Sequence, residues 1–546
     1  MNQIGFKNFR KFTDFPTIDL GDITILVGGN NAGKSTLVKA MLLMRDFLKS
    51  RIVGADKTNN VFQTFSPEFS FDTEHVNVGD FYRAFCRQSP SKEDTIIFTM
   101  KIDQFRFVVN IRGERKPDVL PKVSLIAVYD EDKDVSFTFD FSKNQMTARF
   151  NYDRKALNSD ISDENEYLLN KKSELTVRLD KLKEKLSGCK DLEMITSIKV
   201  DIERTTRELG RIESELKDME RYISGYSIEE YDSATIDMSF FMGDNIGELM
   251  IPELIKGFIH YAETGTYGDK RSKEYKEQEG KKSFLRGKSQ KIYELAEELK
   301  TVLNKQAIEY IYAHSVSQDS IYAKCANSSD YTKRTIHEFF NARISKGDAE
   351  FSLIEDWLEE FQIGTSLKVI PYKGDNYSLV IFDKENPEIT SNKRKGYPGG
   401  IDLADKGMGS IQIVILLLRL ATLIRKYKGQ QLTILLEEPE QNLHPALQSK
   451  LADFVNDVKS NFNVNFIIET HSEYLVRHIQ VLKARLHSNG INNAPFKVFY
   501  MTGDIERPIN DMGFQKNGKF EKEFGPGFFN VADDAAMELF DLDIED

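Results

Sequence analysis

The stretch "GGNNAGKST" at residues 28–36 constrains this chain more than any other. Gly28, Gly33, Lys34 and Ser35 satisfy the spacing G-x-x-x-x-G-K-[ST], which works only where a strand turns through glycines into a helix. The flanks agree. "ITILVGG" is a β-branched run ending in glycine, and Leu37, Met41, Met44 and Leu48 follow at helical spacing. Backbone N–H groups along Gly28, Gly29, Asn30, Asn31, Ala32 and Gly33 would then cradle a phosphate at a helix N-terminus. Lys34 would reach the β- and γ-phosphates and Ser35 would ligate Mg²⁺, with Thr36 closing the loop. The expectation is an α/β fold that takes ATP and Mg²⁺.

A second feature lies far downstream in "LTILLEEPEQNLHP", residues 432–445. Leu432 to Leu436 have the unbroken apolarity of a buried parallel strand, ending in Glu437 and Glu438. Ligands in such sheets sit at the carboxyl ends of strands, so both acids point at the phosphate loop. One is expected to hold the Mg²⁺ water shell and the next to orient the water that attacks the γ-phosphate. "VNFIIETHS" then reads as another buried strand, ending at His471. Between these halves, Gly407, Gly409 and Ser410 precede the apolar run "IQIVILLLRLATLI". Glycine N–H groups and a hydroxyl at a helix start form a second anion site. One subunit has no evident need of two such sites, whereas two subunits facing head to tail would each cap the other's nucleotide.

Taken in order, the phosphate loop, the glycine signature, the acidic strand end, "PEQNLHP" and "ETHSE" resemble an ABC-type ATPase head of the RecF/SMC/OLD-like branch of AAA-labelled proteins. That resemblance implies two lobes built around a P-loop. It implies Lys34 and Ser35 for phosphate and Mg²⁺, and Gly407 to Ser410 as a signature working in trans. It also implies Glu437 as the Mg²⁺-side acid, Glu438 as catalytic base and His471 as switch histidine. The chain departs from the pattern in carrying Glu437 where Asp is usual, and "GMGS" where Ser-Gly-Gly is usual. Gln63 and Gln88 are both candidates for the glutamine loop.

The expected domains are 1–150 and 401–546 for the two parts of the head, 306–400 for a second-lobe segment, and 151–305 for an insertion. In that insertion Leu175, Leu179, Leu182 and Leu186 alternate spacings of four and three, and Ile195 to Ile223 resume the pattern after "SGCKD". This predicts a short antiparallel helical hairpin, its first arm ~28 Å long from Leu168 to Leu186. Residues 268–291 carry nine Lys or Arg against four acids. They read either as a track for a phosphate backbone, and so a DNA contact, or as a solvated linker.

Composition narrows the rest. A net charge of −12 excludes a polycation that coats nucleic acid. Cys86, Cys189 and Cys325 form no C-x-x-C pair, which points to a reducing compartment and away from structural zinc. The N-terminus lacks the apolar core of a signal peptide, and the apolar run Met408 to Leu418 is too short for a bilayer. A cytoplasmic protein without a membrane contact is expected.

Three functions fit. The hairpin, "EEPEQNLHP", "ETHSE" and the closing "GPGFFNVADDAAMELFDL" resemble the PtuA family of ATPases from Septu and retron-associated antiphage systems. That family implies an HNH-type nuclease partner and, in retron systems, a reverse transcriptase with its small hybrid DNA. A homodimer or higher homo-oligomer is expected. The alternatives are a RecF/SMC-like repair or clamp ATPase and an OLD-like nuclease. The last needs a TOPRIM domain, for which the stretch after His471 is short, although Asp541-Leu542-Asp543 there gives its D-x-D pattern.

Overall fold

The computed structural model describes residues 1–52, 68–89, 94–116, 119–150, 154–189, 191–225, 233–238, 250–265, 270–312, 322–323, 330–372, 376–383, 400–491, 494–525, 528–529 and 531–541. Gln63, Cys325, the Asp541 and Asp543 side chains and the first two residues of the 268–291 stretch lie outside the described residues. Contacts divide the chain into two compact units. One is Met1–Ile126, Ile246–Leu254 and Leu295–Asp546, and the other is Ala127–Asn245 and Ile255–Glu294.

The first unit is built on a six-stranded sheet. Its order is Gln306–Ile311, Gln431–Glu437, Val464–Glu469, Ile23–Gly28, Phe496–Met501 and Ile509–Asp511. The first five strands are parallel and the last is antiparallel. Ile23–Gly28 is buried at every position and Leu432 to Leu436 likewise, as expected of strands covered on both faces. Helices Lys34–Ile52, Pro445–Asn461 and Glu473–Ser488 connect them. Leu37, Met41, Met44 and Leu48 are all buried on the first of these. Residues 306–311 thus belong to the main sheet, whereas the sequence assigned them to the second lobe.

An antiparallel sheet in the same unit runs Phe12–Asp19, Gln3–Phe9, Thr95–Ile102, Phe105–Arg112. Burial alternates along Thr95–Ile102, and the buried side is aromatic. Phe6 stacks on Phe15 at 4.6 Å and Phe9 packs edge-on against Phe98 at 5.1 Å. A smaller sheet, Tyr322–Ala323, Ser366–Tyr372, Asn376–Phe382 and Gly400–Asp402, leads into helix Met408–Lys426. That helix runs past Leu418 and is long and apolar enough to cross a membrane, but 78% of its apolar window is buried inside the protein. Its apolarity is that of a core helix packed against Tyr331–Asn341 and Ala349–Glu360.

The second unit begins at Ala127, ahead of residue 151, because strands Val135–Asp140, Gln145–Phe150 and Ser233–Asp237 belong to it. Helices Arg154–Gly188 and Leu192–Gly225 form the hairpin. Its seam holds Leu168, Leu175, Ile212 and Leu216, with Lys172 bridging to Glu213 at 3.2 Å. The first arm has 35 residues, ~52 Å, nearly twice the expected length. Heptad leucines mark where the partner helix packs, not where the helix starts. The basic stretch is also a correction, because Lys273–Asn304 is a continuous helix and not a linker. Its cations are partly spent locally: Lys282 donates to the Thr264 and Gly265 carbonyls, Arg286 to that of Ala262, and Lys281 pairs with Glu277.

Candidate functional site

The glycine loop leaves the buried strand at Gly28 and closes at Gly33, with φ of +153° and +116°. A Cβ at Gly28 would lie 2.6 Å from the Met501 carbonyl oxygen, and one at Gly33 would lie 2.4 Å from the Phe12 ring. Both positions therefore require glycine, for space and for backbone conformation. Gly29 has nothing within 4 Å of an added Cβ, and Gly29, Asn30 and Asn31 are exposed. Lys11 braces the loop by donating to the Asn31 and Ala32 carbonyls at 2.7 and 3.2 Å.

Lys34 is buried and folds back on the loop. Its ammonium donates to the Gly28 and Gly29 carbonyls at 2.9 and 3.2 Å and lies 3.0 Å from His471 Nε2. An ammonium has no lone pair, so Nε2 accepts and the imidazole proton sits on Nδ1. Burial pulls the Lys34 ammonium below its usual value, against Glu469, Glu438 and Glu440, which pull it up. Burial, then Lys34, also lower His471, with Glu438 opposing, so the imidazole is held neutral.

The acids arrive from two strands. Glu437 pairs in register with Glu469, and Glu469 pairs with Leu26 of the phosphate-loop strand. The strand ending in Glu469 therefore intervenes between the strand ending in Glu437 and the loop. Consequently the Ser35 hydroxyl donates to Glu469 Oε1 at 3.0 Å. Glu437, expected on the Mg²⁺ side, accepts the hydroxyl of Tyr310 from the neighbouring strand. Glu469 is 3% exposed, and its Oε2 is buried without a hydrogen-bond partner. Burial pushes its carboxyl up to about 7, helped by Glu437 and Glu438 and opposed by Lys34 and Ser35.

Glu438 adopts φ of +40°, an uncommon conformation for a non-glycine residue. The turn sends its N–H to the Glu469 carbonyl at 2.7 Å and its carboxylate onto the cavity wall. Oε1 lies 3.5 Å from His471 Nε2, and Oε2 accepts from the Gln441 amide. Glu440, buried, takes the His471 N–H at 2.7 Å and so fixes the end of the histidine strand.

Lys34, Ser35, Glu438, Glu469 and His471 line one cavity of ~1060 Å³, whereas Gly28, Gly29, Glu437, Glu440 and Tyr310 are not part of its wall. Its wall includes Arg10, Lys11, Lys34, Lys39, Arg83 and Arg87 against Glu438 and Glu469, a cationic balance suited to a polyphosphate. Gln88 lines the same cavity, and Gln63 lies outside the described residues. Asn30 to Thr36 line it as well. Among the described residues no three His, Cys, Asp or Glu side chains form a metal cluster by themselves. The donors present, one hydroxyl and one buried, unpartnered carboxylate oxygen beside the glycine loop, fit Mg²⁺, which keeps waters and uses few protein ligands.

Gly407, Gly409 and Ser410 are not part of this wall. They start the core helix, with Gly407 as its N-cap, and Gly407 and Met408 are exposed. Gly409 lies against the next motif, since a Cβ there would meet the Asn442 carbonyl at 2.5 Å. Asn442 in turn donates to Gln412 at 3.2 Å. The residues that sequence reasoning missed are Glu469, Glu440, Tyr310 and Lys11. Glu469 carried a usable signal, being the acid that ends an apolar run just as Glu437 does.

Among curated proteins the sequence comparison finds no match. Among solved structures, the chain is similar to a Smc head domain with an extended coiled coil, bound to the C-terminal domain of ScpA, from Pyrococcus furiosus. Identity is 11%, the TM-score 0.30, and coverage 99% of this chain and 98% of that one. A Smc head domain with a coiled coil and joint from Pyrococcus yayanosii gives 11%, 0.31, 95% and 97%. Scores this low carry no weight beside the family match. The AAA_15 family, the AAA ATPase domain, matches residues 1–476, which span the phosphate loop, both acidic strand ends and His471. The chain belongs to this family and is an ATPase.

Proposed function

We propose that the chain works as an ABC-type head whose ATP sites are completed between two copies facing head to tail. The observation that carries this is the split between two anion-binding elements. One lines the cavity, while the other, at Gly407 to Ser410, stands outside it with Gly407 and Met408 open to solvent. Within one copy, Lys34 leaves its loop carbonyls and His471 to bind the β- and γ-phosphates, and Ser35 would hold Mg²⁺ through its hydroxyl. Mg²⁺, when bound, supplies charge neutralisation at the phosphates. Glu438 takes the proton of the attacking water, and His471, neutral, freed from Lys34 and with its proton shifted to Nε2, donates to the γ-phosphate end of the site. The second copy supplies Gly407, Gly409 and Ser410.

The nucleotide state is proposed to gate a separate HNH-type nuclease in antiphage defence, in retron systems together with a reverse transcriptase and its small DNA. The motif order and wording support this reading. So does the hairpin, where Leu169, Val177, Met194 and Val200 are all more than half exposed, apolar side chains left for a partner to cover.

Mixing variants tests the shared site. Gly409 is unsuitable because any side chain meets Asn442, but Gly407 has nothing within 4 Å. Gly407→Asp and Lys34→Ala should each be inactive as ATPases and regain activity when mixed, since one composite site then has two good halves. No recovery in subunits shown to exchange would sink the head-to-tail proposal. For the effector, the chain alone with Mg²⁺ and ATP should leave plasmid, single-stranded DNA and tRNA intact. Cleavage should appear only with the product of a neighbouring nuclease gene, and cleavage by the lone chain would overturn the gating reading.

A further inference from the structure

We infer that Glu469, and not Glu437, is the carboxylate that works with Ser35 on the Mg²⁺ side of the site, and that Tyr310 is the positioning residue that holds Glu437 aside. The inference rests on the nucleotide-binding reading above and assigns a role within it. Strand order is the first argument. Glu469 ends the strand paired directly with the phosphate-loop strand, while Glu437 ends the one beyond. Neighbouring strands lie ~4.8 Å apart, so the outer carboxylate starts one full strand spacing further from Ser35.

Bonding is the second argument. Glu469 lines the cavity, its Oε1 already receives the Ser35 hydroxyl, and its Oε2 is buried with no hydrogen-bond partner. A carboxylate oxygen taken from water and left without a donor is costly unless a cation or its bound water arrives. Glu437 is already engaged, because its Oε2 accepts the Tyr310 hydroxyl. Tyr310 is itself fixed. Its ring packs edge-on against Tyr312 at 4.4 Å, and the Tyr312 hydroxyl lies 2.8 Å from His75 Nδ1. A tyrosine wedged this way sets the Glu437 carboxylate toward its own strand.

The test is binding, not turnover. Affinity for the non-hydrolysable analogue AMP-PNP is measured by calorimetry in Mg²⁺ and in EDTA, and Mn²⁺ occupancy by paramagnetic resonance. Glu469→Gln should lose on the order of tenfold in the Mg²⁺ affinity and in Mn²⁺ occupancy, while binding in EDTA is kept. Glu437→Gln and Tyr310→Phe should stay within about threefold of wild type in both. Emission from Trp357 checks that each variant is folded. Loss in Glu437→Gln, alone or together with Glu469→Gln, would overturn the assignment, as would a wild type indifferent to Mg²⁺. A wild type that binds no AMP-PNP in either condition would instead remove the nucleotide reading itself, and the inference with it.

Discussion

Replacing Glu469 with Gln should make the metal-free, nucleotide-free protein more stable at pH 8 while barely changing it at pH 5. The carboxyl is buried at 3% exposure and pushed up to about 7 from an ordinary 4.5, chiefly by burial. Its folded pKa is raised, so its contribution to stability is fully present below the unfolded value and is lost as pH rises through about 7. At 1.36 kcal/mol per tenfold change in proton affinity, the loss between pH 5 and pH 8 is about 2.5 kcal/mol. Glutamine keeps the shape and cannot ionise, so the variant lacks that slope. The chain has a single tryptophan, which makes the assay local. Trp357 lies in the same unit as Glu469, is buried, donates to Asp457 at 2.9 Å and packs edge-on against Phe454 at 5.0 Å. Urea unfolding followed by its emission, in EDTA from pH 5 to pH 8.5, should show wild type and variant diverging as pH rises. Parallel curves would refute the claim that Glu469 titrates in the native state near neutrality.

Lys34→Ala should weaken ATP binding by more than about tenfold, because Lys34 is the cation at the heart of the phosphate cradle; calorimetry checks this. Glu438→Gln should still bind ATP but hydrolyse it about 100-fold more slowly or worse, measured as phosphate release. If binding were lost instead, Glu438 would be holding the metal side. Gly33→Ala should destabilise by roughly 2 kcal/mol or more, since φ is +116° and the methyl meets Phe12, whereas Gly29→Ala should be nearly silent in thermal unfolding.

The phosphate loop, the strand end at Glu437 and Glu438, and His471 were legible because each is a local pattern. A run of apolar residues states that a strand is buried, and the residue ending it states where the strand points. Which parallel strands lie side by side is not local. Nothing in "ETHSE" says that its strand, and not that of "LLEEPE", neighbours the loop, so Ser35 was matched to Glu437 and meets Glu469. Tyr310 was invisible for the same reason, since its strand joins the sheet from far away in the chain. The hairpin's seam was readable from its leucines, but helix length was not, because a solvated helix end needs no apolar residue. The basic run was read as linker by composition. Its i,i+4 pairing of Lys281 with Glu277 and its docked Lys282 explain why it is helical.

Gly409 seated on the Asn442 carbonyl means that the turn carrying Glu438 and the start of the core helix, the two faces proposed to meet nucleotide, are one solid part. The turn that begins at Glu438 ends at Asn442, and Asn442 is pinned to the helix that opens with Gly407 by that contact and by the amide of Gln412. No hinge lies between them. If the sites are shared as proposed, whatever Glu438 does on meeting its own ATP is delivered, as through a yoke, to the surface offered to the other copy's ATP. Two sites so joined keep common time. Turnover in the assembled protein should rise cooperatively with ATP, with a Hill coefficient above one, and Asn442→Ala, which keeps the carbonyl contact but removes the hydrogen bond to Gln412, should lower it.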